Sequence, residues 1–543
     1  MALFCRGGNQ SRSRIWALIK LNPQPLDLSP VKPIVMSANQ CKACPRRSYC
    51  NKVMSMISQI SSFHHYIVSY RALGKLPVAM LRGTYFGLEI GYFPGSTVTE
   101  LVSGSGVVNG VCLGTVLDLK NNIFRPNRII IPHAFEDKLE QFVYTLGGSW
   151  IAILKTASGV QFFVDACGSK PLVYSTDKGI VASSAAMILD DSEYESELSK
   201  EASSPGWFER DLYFPAGITA HSSIRRLLPN HSLNLSTWKI KRIWPLEQLP
   251  AMSADQALAN IVSVTHAGLK ISNTQANCLV PLTAGNETRG LLAMLRDNTD
   301  STHFFTATMP GSFVDQGCAS RLARTFNLKH QNFSVRRRSN LEQMIWQRNA
   351  GNCVGGVNMY NRLSENFNPS VEISGLGGEI GRGFLWLSTD KPDGNVGAPD
   401  LLKRLKLPDN KQFEIELEKW IEEFPQFDLF TLLDCAYIEH RMATWAFPQT
   451  VARDIVGPQI YPLIHRESFS AMMSAPAEFR RSGQLFKAIV EKEWPQLLTF
   501  PINQGTRWEK LRTVAHKLSK PGAVGMTFRK LGIAGIVKRF SRI

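Results

Sequence analysis

From Met80 to Leu246 the apolar residues come in short runs broken by turns: TYFGLEIGYF, VNGVCLGTVLDL, NRIIIPH, SWIAILKT, VQFFVDA and GIVASSA. Several are β-branched or aromatic and about four to seven residues long, which predicts a largely β domain. AFEDKLEQFVYTL, by contrast, has the spacing of a helix. IKRIWPLEQLPAM, near 240–252, carries two prolines and reads as a linker. From Ser253 the period changes. Ser253-Ala-Asp-Gln256 is a capping-box start, and Leu258, Ile261, Val262, Thr265 and Leu269 follow at helical spacing. Strand ANCLVPL, helix TRGLLAMLRD, strand THFFTATM, helix VDQGCASRLARTFN and strand HQNFSV then alternate, as in a parallel sheet with crossover helices. Beyond about residue 400 the pattern is mostly helical, in LLKRLKL, FEIELEKWIEEF, LFTLLDCAYIEHRMATWAF and GQLFKAIVEKEW.

The 543 residues suit two to four domains at about 100–200 residues each. A hydrophobic share of 44% with 20% charged residues is ordinary for globular chains. No apolar run approaches the roughly 18–20 residues of a membrane span, and a cytoplasmic location is the default expectation. Residues 1–50 hold eight Lys/Arg against one acid, Asp27, and residues 507–543 hold ten against one, Glu509. The formal charge is +16, so residues 51–506 carry no net charge. Basic ends are either solvated tails or contacts for nucleic acid or an anionic surface. Ten cysteines in a chain of this length do not make a disulfide framework. CKACPRRSYC, with Cys41, Cys44 and Cys50, is either a set of free thiols or part of a metal site lacking a fourth ligand. The first 35 residues read as a targeting segment, an arm or residues ahead of a later start.

The stretch carrying chemistry is VPLTAGNETRGLLAM, Val280 to Met294. A strand ends there in small residues whose N–H groups can face an anion. Thr283 and Thr288 add hydroxyls, and the helix beginning near Thr288 adds its N-terminal dipole. Glu287 would repel phosphate unless a cation such as Mg²⁺ lay between them. The alternative is an ordinary strand–helix turn whose acid caps the helix.

The turn resembles the S-G-G-x-D-S pyrophosphate loop of the asparagine synthetase superfamily. Thr283, Ala284, Gly285, Glu287 and Thr288 stand at its Ser, Gly, Gly, Asp and Ser positions. VEISGLGGEIGRGF resembles the S-G-x-G-x-D-E segment, with Ser374, Gly375, Gly377 and Gly378 in place and Glu379 for the metal-binding Asp. GSFVDQGCASRLARTFNLKHQNFSV resembles a third block through Asp315, Ala319, Leu322, Ala323 and His330. Upstream, Asp165, Gly168, Pro171, Leu172, Tyr174 and Ser183-Ser184 resemble the D-x-x-G-x-x-P-L-x-Y…S-S/E pattern of the N-terminal-nucleophile-type domain that precedes the synthetase domain.

The resemblance implies an α/β and α+β chain. A basic extension over 1–60 would precede a glutamine amidotransferase-like β sandwich over 61–246, then an ATP-pyrophosphatase domain over 253–505 and a basic tail over 506–543. It implies ATP and Mg²⁺. Thr283, Ala284, Gly285, Asn286 and Thr288 would cradle pyrophosphate, and Glu287 and Glu379 would hold the metal. Leu279, Thr306 and Gly375 would line the adenosine site by backbone contacts, and Asp315, Ser374, Gly377 and Gly378 would complete the binding loops. The implied reaction adenylates a carboxylate and couples it to ammonia or an amine, as in the β-lactam synthetases and lasso-peptide cyclases. A homodimer is left open.

The chain departs from the family at several points. Cys5 is neither N-terminal nor followed by Gly, so the glutaminase half is expected to keep its fold without activity. Leu376 stands where the family has Glu, Asp or Tyr, and Pro501, Ile502 and Asn503 stand near its R-x-K lysine. Losing such a charge-stabilising donor commonly costs about 10²–10³ in rate. Lys487 and Arg382 are the cations expected to serve, with Lys510 as a further candidate; Arg382 would either clamp pyrophosphate or pair with an acid. The alternative function is a silent binding or scaffold protein.

Overall fold

The computed structural model describes residues 64–519 apart from 75, 78, 356–359, 363–369, 425 and 453–456. The expected basic extension, its Cys41, Cys44 and Cys50, and the tail beyond 519 lie outside the described residues. The described part falls within one compact unit. It is a mixed α/β structure with two largely antiparallel sheets followed by a mostly parallel one.

The two N-terminal sheets have six and eight strands and share a core. In the larger sheet, the central strands Val108–Asp118 and Gly147–Thr156 pair antiparallel. Val111, Leu113, Ile151 and Ile153 enter the core between the sheets. Their sequence neighbours Cys112, Trp150, Ala152 and Leu154 enter a second core under the short helix Leu139–Val143. A strand buried on both faces explains the continuous apolar run of VNGVCLGTVLDL.

Two expectations need correction, and one apolar run resolves into paired strands. TYFGLEIGYF is a hairpin, Leu81–Tyr85 against Leu88–Tyr92. Its turn, Phe86-Gly87, has φ of 54° and 77°, the double positive that a two-residue I′ turn needs. AFEDKLEQFVYTL forms a 3₁₀ turn, His133–Phe135, and one helical turn, Leu139–Val143, separated by the non-helical Lys138. Only Leu139, Phe142 and Val143 are buried in it, and an unsupported single turn does not propagate. The supposed linker begins as strand Ile240–Arg242, paired with His231–Asn234.

The capping box is present as expected. Ser253 Oγ accepts from the Gln256 N–H, and Gln256 accepts from the Ser253 N–H, opening helix Ala254–Asn273. The third sheet runs Tyr360–Arg362, His330–Arg337, His303–Thr308, Cys278–Pro281, Val371–Ile373, Gln459–Ile460. All neighbours are parallel except the first pair. From Cys278–Pro281 the chain builds outward on one side, then crosses to Val371–Ile373 on the other. Such a reversal leaves a crevice beyond the carboxyl ends of the two strands, where ligands bind in open α/β sheets.

LFTLLDCAYIEHRMATWAF starts as α-helix Leu429–Ala436 and widens into π-helix Tyr437–Ala446. The wider turn carries Glu439, fully buried, to the first half of the chain. Arg242 donates to both of its oxygens at 2.8 and 2.9 Å, Asn230 to one at 2.8 Å and Trp420 to the other at 2.6 Å.

Candidate nucleotide site

The crevice is built from two loops, one leaving each strand at the switch point. Leu282, just past Cys278–Pro281, donates its N–H to the Phe305 carbonyl at 2.7 Å. Its own carbonyl accepts from the buried Thr306 hydroxyl at 2.7 Å, which also meets His330 Nε2 at 2.9 Å. The neighbouring strands therefore fix where the first loop starts.

Within that loop Thr283 Oγ1 accepts from the Gly285 N–H at 3.1 Å and shares a 2.7 Å hydrogen bond with Thr288 Oγ1. Asp315 Oδ1 accepts the Ala284 N–H at 3.0 Å, and the Ala284 carbonyl accepts the Asn503 N–H at 2.8 Å. Helix Asn286–Met294 then begins at Gly285 with no side-chain cap. The first amides of a helix have no intrahelical acceptor and carry its positive dipole end. Of the loop's N–H groups, those of Ala284 and Gly285 are already bonded, so the donors for an anion are the first-turn amides of Asn286, Glu287 and Thr288.

The second loop follows Val371–Ile373. The Ser374 N–H donates to the Ile460 carbonyl at 2.9 Å. Gly377 adopts φ +98°, a left-handed conformation that favours glycine, and starts the 3₁₀ turn Gly378–Arg382. Glu379 Oε2 accepts the Gly377 N–H at 3.0 Å. The loops touch at Gly378. A Cβ there would lie 2.7 Å from Glu287 Cγ and 2.6 Å from Phe486 Cζ, so any larger residue pushes the loops apart. A Cβ on Gly375 would sit 3.4 Å from Glu287 Cβ.

Glu287 does not cap its own helix. Its Oε1 accepts from Arg382 Nε at 3.0 Å, across to the second loop. Of the two roles open to Arg382, pairing with an acid is the one present. Its guanidinium also lies over Phe384 at 5.0 Å. Burial, and then the nearby Glu287 charge, push the Glu379 carboxyl up to about 7. Two carboxylates thus stand in each other's field with one arginine between the loops. Among the described residues no group of three or more His, Cys, Asp or Glu is placed to hold a metal. A carboxylate pair still matches Mg²⁺, which commonly takes one or two protein carboxylates and fills its shell with phosphate oxygens and water.

The remaining sequence-picked residues divide. Asp315, Ser374, Gly375 and Gly377 build the loops. Leu279 is a buried side chain packed with Phe305 and Phe333 inside the sheet layer, and Thr306 spends its hydroxyl on Leu282 and His330. Leu376 is partly buried against the core. Lys487 is exposed on helix Gln484–Glu493, whose buried neighbour Phe486 is the side chain that reaches Gly378. Lys510 is exposed on the last described helix. A cavity of about 640 Å³ between Tyr144, Trp244 and Arg466 lies apart from the crevice and is lined by none of these residues.

Arg289 and Phe486 form the site without having been picked from the sequence, and Asn503, picked only as standing near an expected lysine, serves through its backbone amide. Arg289, fully buried, donates to the Leu497 and Phe500 carbonyls at 2.9 and 2.8 Å and to Cys318 Sγ at 3.2 Å, tying the loop's helix to the segment that carries Asn503. Its signal was an arginine inside an apolar helical run. Phe486 and the Asn503 amide gave none, because each acts through tertiary approach alone. No protein-family model matches the chain, and no curated protein matches it.

Proposed function

We propose that the crevice binds a magnesium–nucleotide and that the protein is an amide-forming ligase of the asparagine synthetase type. It would adenylate a carboxylate with release of pyrophosphate, then couple the acyl group to an amine or ammonia with release of AMP. One observation carries this reading: an uncapped helix N-terminus at a sheet switch point, with Glu287 and Glu379 brought together from loops almost a hundred residues apart. In this reading the first-turn amides hold phosphate oxygens, and Glu287 and Glu379 hold Mg²⁺. When bound, the metal supplies charge neutralisation to the phosphates. Arg382 keeps Glu287 turned toward the second loop and places a cation beside the developing pyrophosphate charge. The resemblance at both loops supports the nucleotide as ATP. The finer fold reading, an N-terminal-nucleophile-like sandwich followed by an ATP-pyrophosphatase domain, belongs to the same proposal; the order of the sheets supports it.

A second reading is a silent nucleotide-binding protein. It is favoured by the segment where the resemblance expects a lysine. That segment lies against the loop, yet it offers the Asn503 backbone amide instead of a cation. Pyrophosphate release from ATP, measured across pools of carboxylates and amines, separates the two. Release that is lost in Glu287→Ala and in Glu379→Ala supports the ligase. Release unchanged in both variants removes the site, and nucleotide binding without release leaves the silent protein.

A further inference from the structure

The last described helix, Arg507–Ser519, is amphipathic with its faces reversed. The side turned to the body is polar apart from the buried Ala515. Glu509 pairs with Arg321 at 2.5 Å and accepts the Thr506 N–H at 2.8 Å. Arg512 lies over the Phe313 ring at 4.2 Å, and the His516 ring meets the same phenyl edge-on at 6.4 Å. The outward side carries Trp508, Leu511 and Val514, which are 66%, 48% and 51% exposed. Spacings of three place these side chains along one stripe. Arg507 and Lys510 are exposed beside it.

An apolar stripe held outward by polar anchors calls for a cover, and charge selects which one. Glu509, the one acid in residues 507–543, is already turned inward to Arg321. The outward face is therefore cationic and apolar with no carboxylate. Residues 520–543 add Lys520, Arg529, Lys530, Lys538, Arg539 and Arg542, again without an acid. A second copy would set this face against like charge, and residues 1–50 are themselves basic. Nucleic acid would satisfy the cations but give Trp508, Leu511 and Val514 no apolar surroundings. A lipid surface bearing anionic headgroups satisfies both, since cations meet the headgroups while Trp, Leu and Val enter the boundary beneath.

We infer that the outward face of helix Arg507–Ser519 is a docking surface for an anionic membrane. No described helix is long and apolar enough to cross one.

The test sediments the full chain with phosphatidylcholine vesicles, with and without phosphatidylserine, over a range of salt. Binding is expected only with phosphatidylserine, and it should weaken as salt rises. The triple variant Trp508→Ser, Leu511→Ser, Val514→Ser should lower partitioning about tenfold or more. Lys510→Glu should lower it by a smaller factor. Both variants should keep the parent's thermal midpoint, because the replaced side chains are exposed. Four results would overturn the proposal: equal binding to neutral vesicles, no binding to either, a triple variant that binds like the parent, or a concentration-dependent dimer that the triple variant disperses. Vesicle binding that RNA abolishes while the triple variant leaves RNA affinity intact would assign the basic residues to nucleic acid instead.

Discussion

Two of the chain's glutamate–arginine pairs stand in contrasting settings. At the seam between its halves, Glu439 and Arg242 meet through two hydrogen bonds, and Asn230 and Trp420 occupy the remaining lone pairs. Arg242 is further held by Glu423 at 2.7 Å. Burial is the strongest single influence and raises the Glu439 carboxyl, but Arg242, His231 and Asn230 together outweigh it and hold the group down at about 2. At the crevice, Glu287 meets Arg382 through a single 3.0 Å contact at a partly exposed position, with the carboxyl of Glu379 close by. At the seam the Glu439 carboxylate is saturated from within. The crevice keeps lone pairs, a surplus of negative charge and an uncapped helix end. An acid–arginine pair thus becomes structural when its remaining bonds are supplied from within, and becomes a candidate site when they are not.

Breaking the seam should give the largest effect. Glu439→Ala leaves Arg242 buried without its main partner and orphans the Asn230 and Trp420 donors. A loss of about 3–5 kcal/mol in chemical unfolding is expected. A loss below about 1 kcal/mol would mean the seam is not saturated as described. Next in size is Gly378→Ala, whose Cβ must displace Phe486 or Glu287. It should cost about 1–3 kcal/mol and weaken nucleotide binding with it. Unchanged stability and affinity would show that the loops do not need to touch.

Glu287→Gln reverses the ranking of stability and function. The pair is partly exposed, so stability should change by less than about 1 kcal/mol. Magnesium-dependent binding should nonetheless be lost, where Glu439→Ala would affect binding only through folding. Glu379 supplies a pH test. Its carboxyl keeps a proton up to about pH 7 in the folded chain, whereas the unfolded chain releases it near the ordinary value of 4.5. Its contribution to stability is therefore full below about 4.5 and falls as pH rises to about 7. Mg²⁺ competes with that proton, so the rise in thermal midpoint on adding Mg²⁺ should grow from about pH 6 to about pH 8. A shift independent of pH would remove Glu379 from the metal site. The smallest effect belongs to Lys487→Ala, which should alter stability by less than about 0.5 kcal/mol and leave pyrophosphate release at the parent level.

Local features were legible in the sequence. Ser253 and Gln256 announced a capped helix, strand–helix alternation announced the parallel sheet, and Thr283 to Thr288 announced a turn where small residues precede a helix. Each of these rests on neighbours within a few positions. Contacts between distant segments were not legible. Nothing near Glu287 says that its carboxylate meets Arg382 instead of capping its own helix. Nothing in IKRIW says that Arg242 ends in a buried pair with Glu439. The Asn503 backbone on Ala284, and Phe486 filling the space that Gly378 leaves, depend on where the chain returns after many residues. The helix expected over AFEDKLEQFVYTL failed for a related reason, since spacing suggested a length that burial of three side chains does not sustain.

Calorimetric titration of ATP into the full chain, with and without Mg²⁺ and in parallel with Glu287→Ala, tests the central claim most directly. One site per chain is expected, with binding that requires Mg²⁺ and is lost in the variant. ATP binding of equal strength without Mg²⁺, or undiminished in Glu287→Ala, would contradict it.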